Sequence, residues 1–238
     1  MTSLTPVVTI VDSDAATRAR LASLIRSAGW TARPFASAWE FLDCPRSLIP
    51  GCLVADVALP DLDGLQLQER VADRVELPVI FMTRHFDVIT TVRAMKAGAF
   101  EFMTKPFRED AMLSAIGAGI EHSRAALGRA TELQSLHDRY QSLSCRERQV
   151  MALVVQGLMN KVIAAELGIS EITVKAHRGK VMLKMRVRSV AELVIVAARL
   201  DTNVQLPTFA SALRVGRYTV DTKVLTNTSN RFGLLPLL

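Results

Sequence analysis

The sequence predicts an α/β domain built on a doubly wound, five-stranded parallel sheet, followed by a small all-α helix-turn-helix domain. Three observations predict it. Strand and helix signals alternate over the first 107 residues, β-rich runs then cease, and basic charge gathers in one late block. Residues 1–140 carry 15 basic and 17 acidic side chains, whereas residues 141–200 carry 10 and 4. That asymmetry suggests an acidic or neutral module joined to a nucleic-acid-binding one. The expected division is an α/β domain at 1–124, a helical linker at 125–140, the helix-turn-helix domain at 141–200 and a tail at 201–238.

The elements follow in order. Val7–Val11 is apolar and β-branched without polar alternation, which reads as a buried parallel strand ending at Asp12. Ala15–Ala28 has helical apolar spacing and stops at Gly29. Thr31–Phe35 is an edge strand, because Pro34 cannot donate within a central ladder. Ser37 caps a helix over Ala38–Asp43. Cys52–Ala55 is a buried strand ending at Asp56, and turn residues 60–64 lead to a helix over Leu65–Ala72. Pro78–Met82 is a third buried strand, ending at Thr83. A helix over Val88–Ala97 stops at Gly98, and a last strand, Ala99–Met103, precedes Lys105-Pro106. Residues 108–140 hold no proline and read as one long helix or as a domain helix running into a linker, weakened by Gly117, Gly119 and Gly128.

Four capped helices follow. Capping boxes open two of them, Ser144 with Glu147 and Ser189 with Glu192. Asn160 is expected to cap Lys161–Leu167, Gly168 to stop it, and Ser170 to cap Glu171–Met185. Two short helices joined by Leu-Gly-Ile-Ser, the second basic, form a helix-turn-helix signature. In the tail, residues 217–226 read as a strand without an evident partner.

Composition excludes several classes. Half of the 238 residues are hydrophobic and 22% are charged, so the chain can build cores. Apolar runs fall short of the roughly 20 residues a membrane span needs. The N-terminus lacks the basic start of a signal peptide, and Cys44, Cys52 and Cys145 are too few and scattered for a disulfide or metal framework. The expectation is a reduced, cytoplasmic protein whose cysteines are small buried hydrophobes and whose His85, His122 and His137 lie at the surface.

Ligands of an open α/β sheet sit beyond the carboxyl ends of its strands. Asp12, Asp56, Thr83 and Lys105 each fall just after a strand, and Asp14 lies near the same edge. Converging carboxylates suit a hard cation such as Mg2+. A cation and a lysine neutralise a phosphoryl group during in-line transfer, and one carboxylate, Asp56, can act as nucleophile.

The segments IVDSD, LVADVALPDLDG, FMT and AMKAGAFEFMTKPF, within residues 6–124, resemble the receiver domain of two-component response regulators, a flavodoxin-like fold. The resemblance implies that Asp56 accepts phosphate from a sensor histidine kinase. It implies that Asp12, Asp56 and the Ala58 main-chain carbonyl bind Mg2+, with Asp14 able to reach in. It gives Thr83 the sensing of the phosphoryl group, Lys105 its contact and Phe102 the aromatic switch, with a cis bond before Pro106. The sequence departs from the pattern at Ser13, where the family has a second acid that ligates the metal, so Mg2+ is expected to bind weakly. Arg84-His85-Phe86 also replaces the small residues often found after the threonine.

On a helical wheel, Val174, Val181 and Met185 of 171–185 share a buried face with His177 at its margin. Ile172, Lys175, Ala176, Gly179 and Lys180 lie opposite, and Arg178 lies near the border, placed for a phosphate. Small residues and lysines facing outward fit the major groove, where Lys175 can donate to guanine and Ala176 can touch a thymine methyl. The run LSCRERQVMALVVQGLMNKVIAAELGISEITVKAHRGKVMLKM resembles the LuxR/FixJ/NarL-type helix-turn-helix, and the domain order is most like the FixJ branch. That resemblance implies recognition of double-stranded DNA through 171–185, with Lys161 and Thr173 joining the interface. It also implies a homodimer formed through 189–200 and RNA polymerase as a further partner.

The leading expectation is a DNA-binding response regulator, not an enzyme and with no membrane partner, in which phosphorylation of Asp56 promotes dimerisation and transcriptional control. The alternative, prompted by Ser13, is an atypical receiver acting as a phosphorylation-independent transcription factor. An enzyme reading, from a loose similarity of Asp12-Ser13-Asp14 to the nucleophile motif of haloacid-dehalogenase-type phosphatases, leaves the helix-turn-helix unexplained.

Overall fold

The computed structural model describes residues 4–85 and 87–203. The strand expected at 217–226, with the rest of the tail after 203, lies outside the described residues. The chain divides into two compact units between Glu132 and Leu133.

The first unit contains β1 (Val7–Val11), α1 (Ala15–Ser27), β2 (Thr31–Phe35), α2 (Ala38–Leu42), β3 (Gly51–Asp56), α3 (Gly64–Arg70), β4 (Val79–Thr83), α4 (Val88–Lys96) and β5 (Glu101–Thr104), and most of α5 (Glu109–Gln141). The strands form one sheet in the order β2-β1-β3-β4-β5, and every pair is parallel. Reversal of winding at β1 places the switch point between β1 and β3. The β3 and β4 strands are buried along their whole length, as their unbroken apolar runs predict. Pro34 lies on edge strand β2.

Two cores flank the sheet. On one side Val8, Ile10, Val54, Ile80 and Met82 pack with Leu21 and Ile25 of α1 and Met112 and Ile116 of α5. On the other, Val11, Leu53, Ala55 and Phe81 pack with Phe41, Leu67 and Ala94. A buried Leu, Ile or Phe contributes about 1.5–3 kcal/mol by leaving water. Side chains start the helices: Asp14, Ser37 and Asp87 accept bonds from first-turn amides, and Asp63 forms a capping box with Gln66.

Some expectations change. Residues 109–141 form one uninterrupted helix, the first of the two readings of that stretch. Gly119 within it serves close packing, since a Cβ there would stand 3.2 Å from the Cβ of Cys52. The last strand begins two residues later than expected, at Glu101. Cys52 is buried, and burial pushes its thiol pKa up to about 12, but Cys44 is half-buried and Cys145 exposed. Cys145 is the first residue of its helix and is exposed there. His137 is half-buried rather than at the surface.

The second unit holds the end of α5 and α6 (Cys145–Val155), α7 (Asn160–Leu167), α8 (Glu171–Met185) and α9 (Val190–Asn203). Its core gathers Val150, Met151, Ile163, Val174, Val181, Met185, Leu193 and Leu200. Ser144 and Glu147 form the expected capping box, Ser170 caps α8, and Gly168 ends α7 in the left-handed conformation at φ 65°. Asn160 does not cap α7. It is the first helical residue, Met159 holds the cap position without a side-chain bond, and the Asn160 amide oxygen accepts from Arg178 instead. No helix among the described residues is long and apolar enough to cross a membrane.

Candidate functional site

Strand register builds the first site. Val11 pairs with Ala55 and Asp56 with Met82, so Asp12, Asp56 and Thr83 reach one edge of the sheet. Thr83 pairs with Thr104, and Lys105 N–H donates to the Thr83 carbonyl, which brings Lys105 to the same edge across a cis Lys105-Pro106 bond. Lys105 Nζ donates to Asp12 Oδ2 at 2.6 Å and to Asp56 Oδ2 at 2.5 Å. The Lys105 side chain is 8% exposed, that of Asp12 0% and that of Asp56 10%. Buried charges must be paired, and here one ammonium serves two carboxylates.

The other carboxylate oxygens meet backbone. Asp14 N–H donates to Asp12 Oδ1 at 2.8 Å, and Ala58 N–H donates to Asp56 Oδ1 at 3.0 Å. Gly64 backs Asp56 directly, since a Cβ there would fall 2.8 Å from the Asp56 carbonyl oxygen. Thr83 lies at the edge, yet its hydroxyl is tied to its own loop, donating to the His85 carbonyl and accepting from His85 N–H. Phe102 is half-buried, its ring tilted against Phe81 with centroids 6.3 Å apart.

Asp14 does not join the cluster. Its carboxylate accepts from Ala16 N–H and the Thr17 hydroxyl and pairs with Arg84 at 2.5 Å. The Thr17 hydroxyl, then the Ala16 amide, hold its pKa below the usual carboxylate value. Among the described residues no group of three or more His, Cys, Asp or Glu side chains is placed to hold a metal. Two further cations belong here that sequence reasoning did not assign to the site. Arg18 Nη1 donates to the Asp12 carbonyl at 2.6 Å, bracing the strand end from one turn into α1. Arg84 joins Thr17, Arg20 and Lys105 in lining a cavity of about 340 Å3. The signal for Arg84 was its bulk directly after the strand-end threonine.

In the second unit, α8 buries Val174, Val181 and Met185 and exposes Ile172, Lys175, Ala176, Gly179 and Lys180. Lys161 is exposed on α7. Thr173 is half-buried with its hydroxyl 2.9 Å from that of Ser170. Arg178, expected at a phosphate, is half-buried and donates to Asn160 Oδ1 at 2.5 Å, joining α8 to α7. Lys184 Nζ reaches Glu147 Oε2 at 2.7 Å and the Ser142 carbonyl at 3.0 Å. The bond from Lys184, then the Ser144 amide, lower the Glu147 pKa. The outer face of α8 thus presents Lys175 and Lys180 with the small residues Ala176 and Gly179 between them.

Residues 8–117 match the family described as response regulator receiver domain, and residues 141–197 match the luxR family of bacterial regulatory proteins. The chain is 44% identical over 200 residues to the response regulator protein TmoT of Ectopseudomonas mendocina, covering 84% of this chain and 91% of that one. It is 42% identical over 191 residues to the transcriptional regulatory protein FixJ of Bradyrhizobium diazoefficiens, covering 80% and 93%. Among solved structures, the response regulator StyR aligns with a TM-score of 0.73 at 44% identity, covering 82% of this chain and 100% of that one.

Proposed function

From the premise that this chain belongs to the FixJ/LuxR-type, DNA-binding two-component response regulators, we propose that its switch is phosphorylation of Asp56 by a sensor histidine kinase. The observation that carries the reading is the Lys105 ammonium bonded to both Asp12 and Asp56 at the mouth of the sheet. That arrangement aims the Asp56 carboxylate while a cation stands ready for the arriving phosphoryl oxygens.

The donor chemistry fits a weakly held Mg2+. Asp12, Asp56 and the Ala58 main-chain carbonyl would supply hard oxygen ligands, and Ser13 offers no second acid. When bound, the ion would neutralise charge on the transferring group. Asp56 supplies the attacking oxygen. Lys105 then exchanges a carboxylate for a phosphoryl oxygen, and Thr83 can release the His85 carbonyl to donate to the same group. Phe102, beside Phe81, would follow that change inward. Such a switch is a population shift between two arrangements of one domain.

The output is DNA binding through α8, with Lys175 and Ala176 at base edges and Lys161, Lys180 and Gly179 along the backbone. Exposed Val88, Ile89, Val92 and Met95 on α4, and Val194 and Ile195 on α9, support a homodimer as the active form. Recruitment of RNA polymerase would follow at the promoter. The test is intact mass after incubation with an acyl phosphate and Mg2+, followed by sedimentation. One added phosphoryl group and a dimer, both absent from Asp56→Asn, are expected; an unmodified wild-type chain overturns the reading.

A further inference from the structure

Arg84 has no part in the proposed switch, yet its side chain reaches from the end of β4 to Asp14, beyond the end of β1. It follows β4, while its partner Asp14 follows β1, and these two strands flank β3, which ends in Asp56. The ion pair therefore crosses from one side of the Asp56 strand to the other. Arg84 also shares a cavity of about 340 Å3 with Lys105, whose ammonium touches Asp56, and with Arg20. Among the described residues, no carboxylate lines that cavity.

Charge gives the arrangement a purpose. Transfer from a dianionic acyl phosphate replaces one negative charge on Asp56 by two on the phosphoryl group. Lys105 already serves two carboxylates. With Ser13 in place of an acid, the cluster has lost one ligand for a divalent cation, and with Arg84 it has a cation of its own. The Arg84 side chain is 62% exposed and that of Asp14 36%, so solvent weakens their pair. Asp14 keeps its bonds to Ala16 and Thr17 when Arg84 leaves. A guanidinium fork matches phosphoryl oxygens bidentately.

We propose that Arg84 is a phosphoryl-binding residue: it exchanges Asp14 for the phosphoryl group on Asp56 and makes phosphorylation of this site only weakly dependent on Mg2+. The proposal rests on Asp56 being the acceptor. In the step, a carboxylate lone pair of Asp56 attacks phosphorus, the bond from phosphorus to the donor's acyl oxygen breaks, and the acid departs as its anion. No proton or electron is exchanged.

The test follows phosphorylation by acetyl phosphate, by intact mass, in Mg2+ and in EDTA, for wild type, Arg84→Ala, Asp14→Asn and Asp56→Asn. The lifetime of the acyl phosphate in EDTA is read after donor removal. Wild type in EDTA should label within about tenfold of its rate in Mg2+, and Arg84→Ala should fall a further tenfold or so in EDTA alone. Asp14→Asn retains a helix cap and frees Arg84, so it should label faster in EDTA. The acyl phosphate should be shorter-lived in Arg84→Ala. Arg84→Ala matching wild type in both media overturns the role of Arg84. A wild type that labels only in Mg2+ overturns the weak metal dependence. A wild type that labels in neither removes the Asp56 reading itself, and this proposal with it.

Discussion

Asp56 Oδ2 accepts a 2.5 Å hydrogen bond from Lys105 Nζ, and the two residues come from strand ends 49 positions apart in sequence. The same ammonium neutralises Asp12, whose side chain is fully buried. Removing it would leave two buried carboxylates facing each other. Lys105→Ala should therefore destabilise the first unit by about 3–5 kcal/mol, the cost typical of stripping one partner from a buried ion pair. Trp30 and Trp39, the protein's two tryptophans, both lie in that unit, so their fluorescence in urea isolates its unfolding. Asp12→Asn added to Lys105→Ala should recover part of the loss. An unchanged urea midpoint in Lys105→Ala would falsify this view of the cluster.

Gly64 carries a second, steric prediction. A Cβ there would lie 2.8 Å from the Asp56 carbonyl oxygen and 2.9 Å from Val57 Cα, both backbone atoms that cannot swing aside. Gly64→Ala should cost roughly 1–3 kcal/mol, as overpacking does. It should also slow labelling of Asp56, because the relief must come from the strand end that presents the carboxylate. A variant as stable and as readily labelled as wild type would show that α3 can retreat freely.

The sheet was legible because parallel strands buried on both faces read as unbroken apolar runs, and 79–82 and 52–55 are such runs. Asp12, Asp56 and Lys105 were legible for a related reason: strand-end polar residues of an open sheet have one edge to go to. What sequence left open depends on contacts distant in the chain. The Asn160 amide is drawn to Arg178, 18 residues on, rather than to its own helix start. Asp14, a ligand candidate by proximity, is claimed by Thr17 and by Arg84, 70 residues on. Local propensity speaks to caps and turns; it is silent on which distant cation takes a given carboxylate.

Glu147 predicts an acid-sensitive second unit. Its side chain is 5% exposed, bonded to Lys184 and closing the capping box of α6. Because its folded pKa is lowered below the ordinary 4.5, its stabilisation is complete above about pH 4.5 and is lost as pH falls through the folded value. Glu147→Gln should cost about 1–2 kcal/mol at pH 7, toward the low end for a charged hydrogen bond because Lys184 is partly solvated. It should cost progressively less below pH 4.5. The methyl NMR signals of Met151 and Met185, both in that core, report the urea transition of this unit. A cost independent of pH would mean that the amide replaces the carboxylate fully.

The DNA contacts proposed for the outer face of α8 are of two kinds. Lys175 lies beside Ala176 near the helix start, the part of a recognition helix that meets base edges, and Lys180 lies further along the same exposed face. Lys175→Ala should lose about 1–3 kcal/mol on a selected site and relax preference at one base pair. Lys180→Ala should weaken all sequences alike and reduce the salt slope by about one. Arg178→Ala should act differently from both, since its bond to Asn160 ties α8 to α7, and losing it should lower stability before it alters sequence preference. Affinities for a randomised site library at two salt concentrations distinguish the three. If Lys175→Ala changes neither affinity nor preference, base readout rests on other residues of this face.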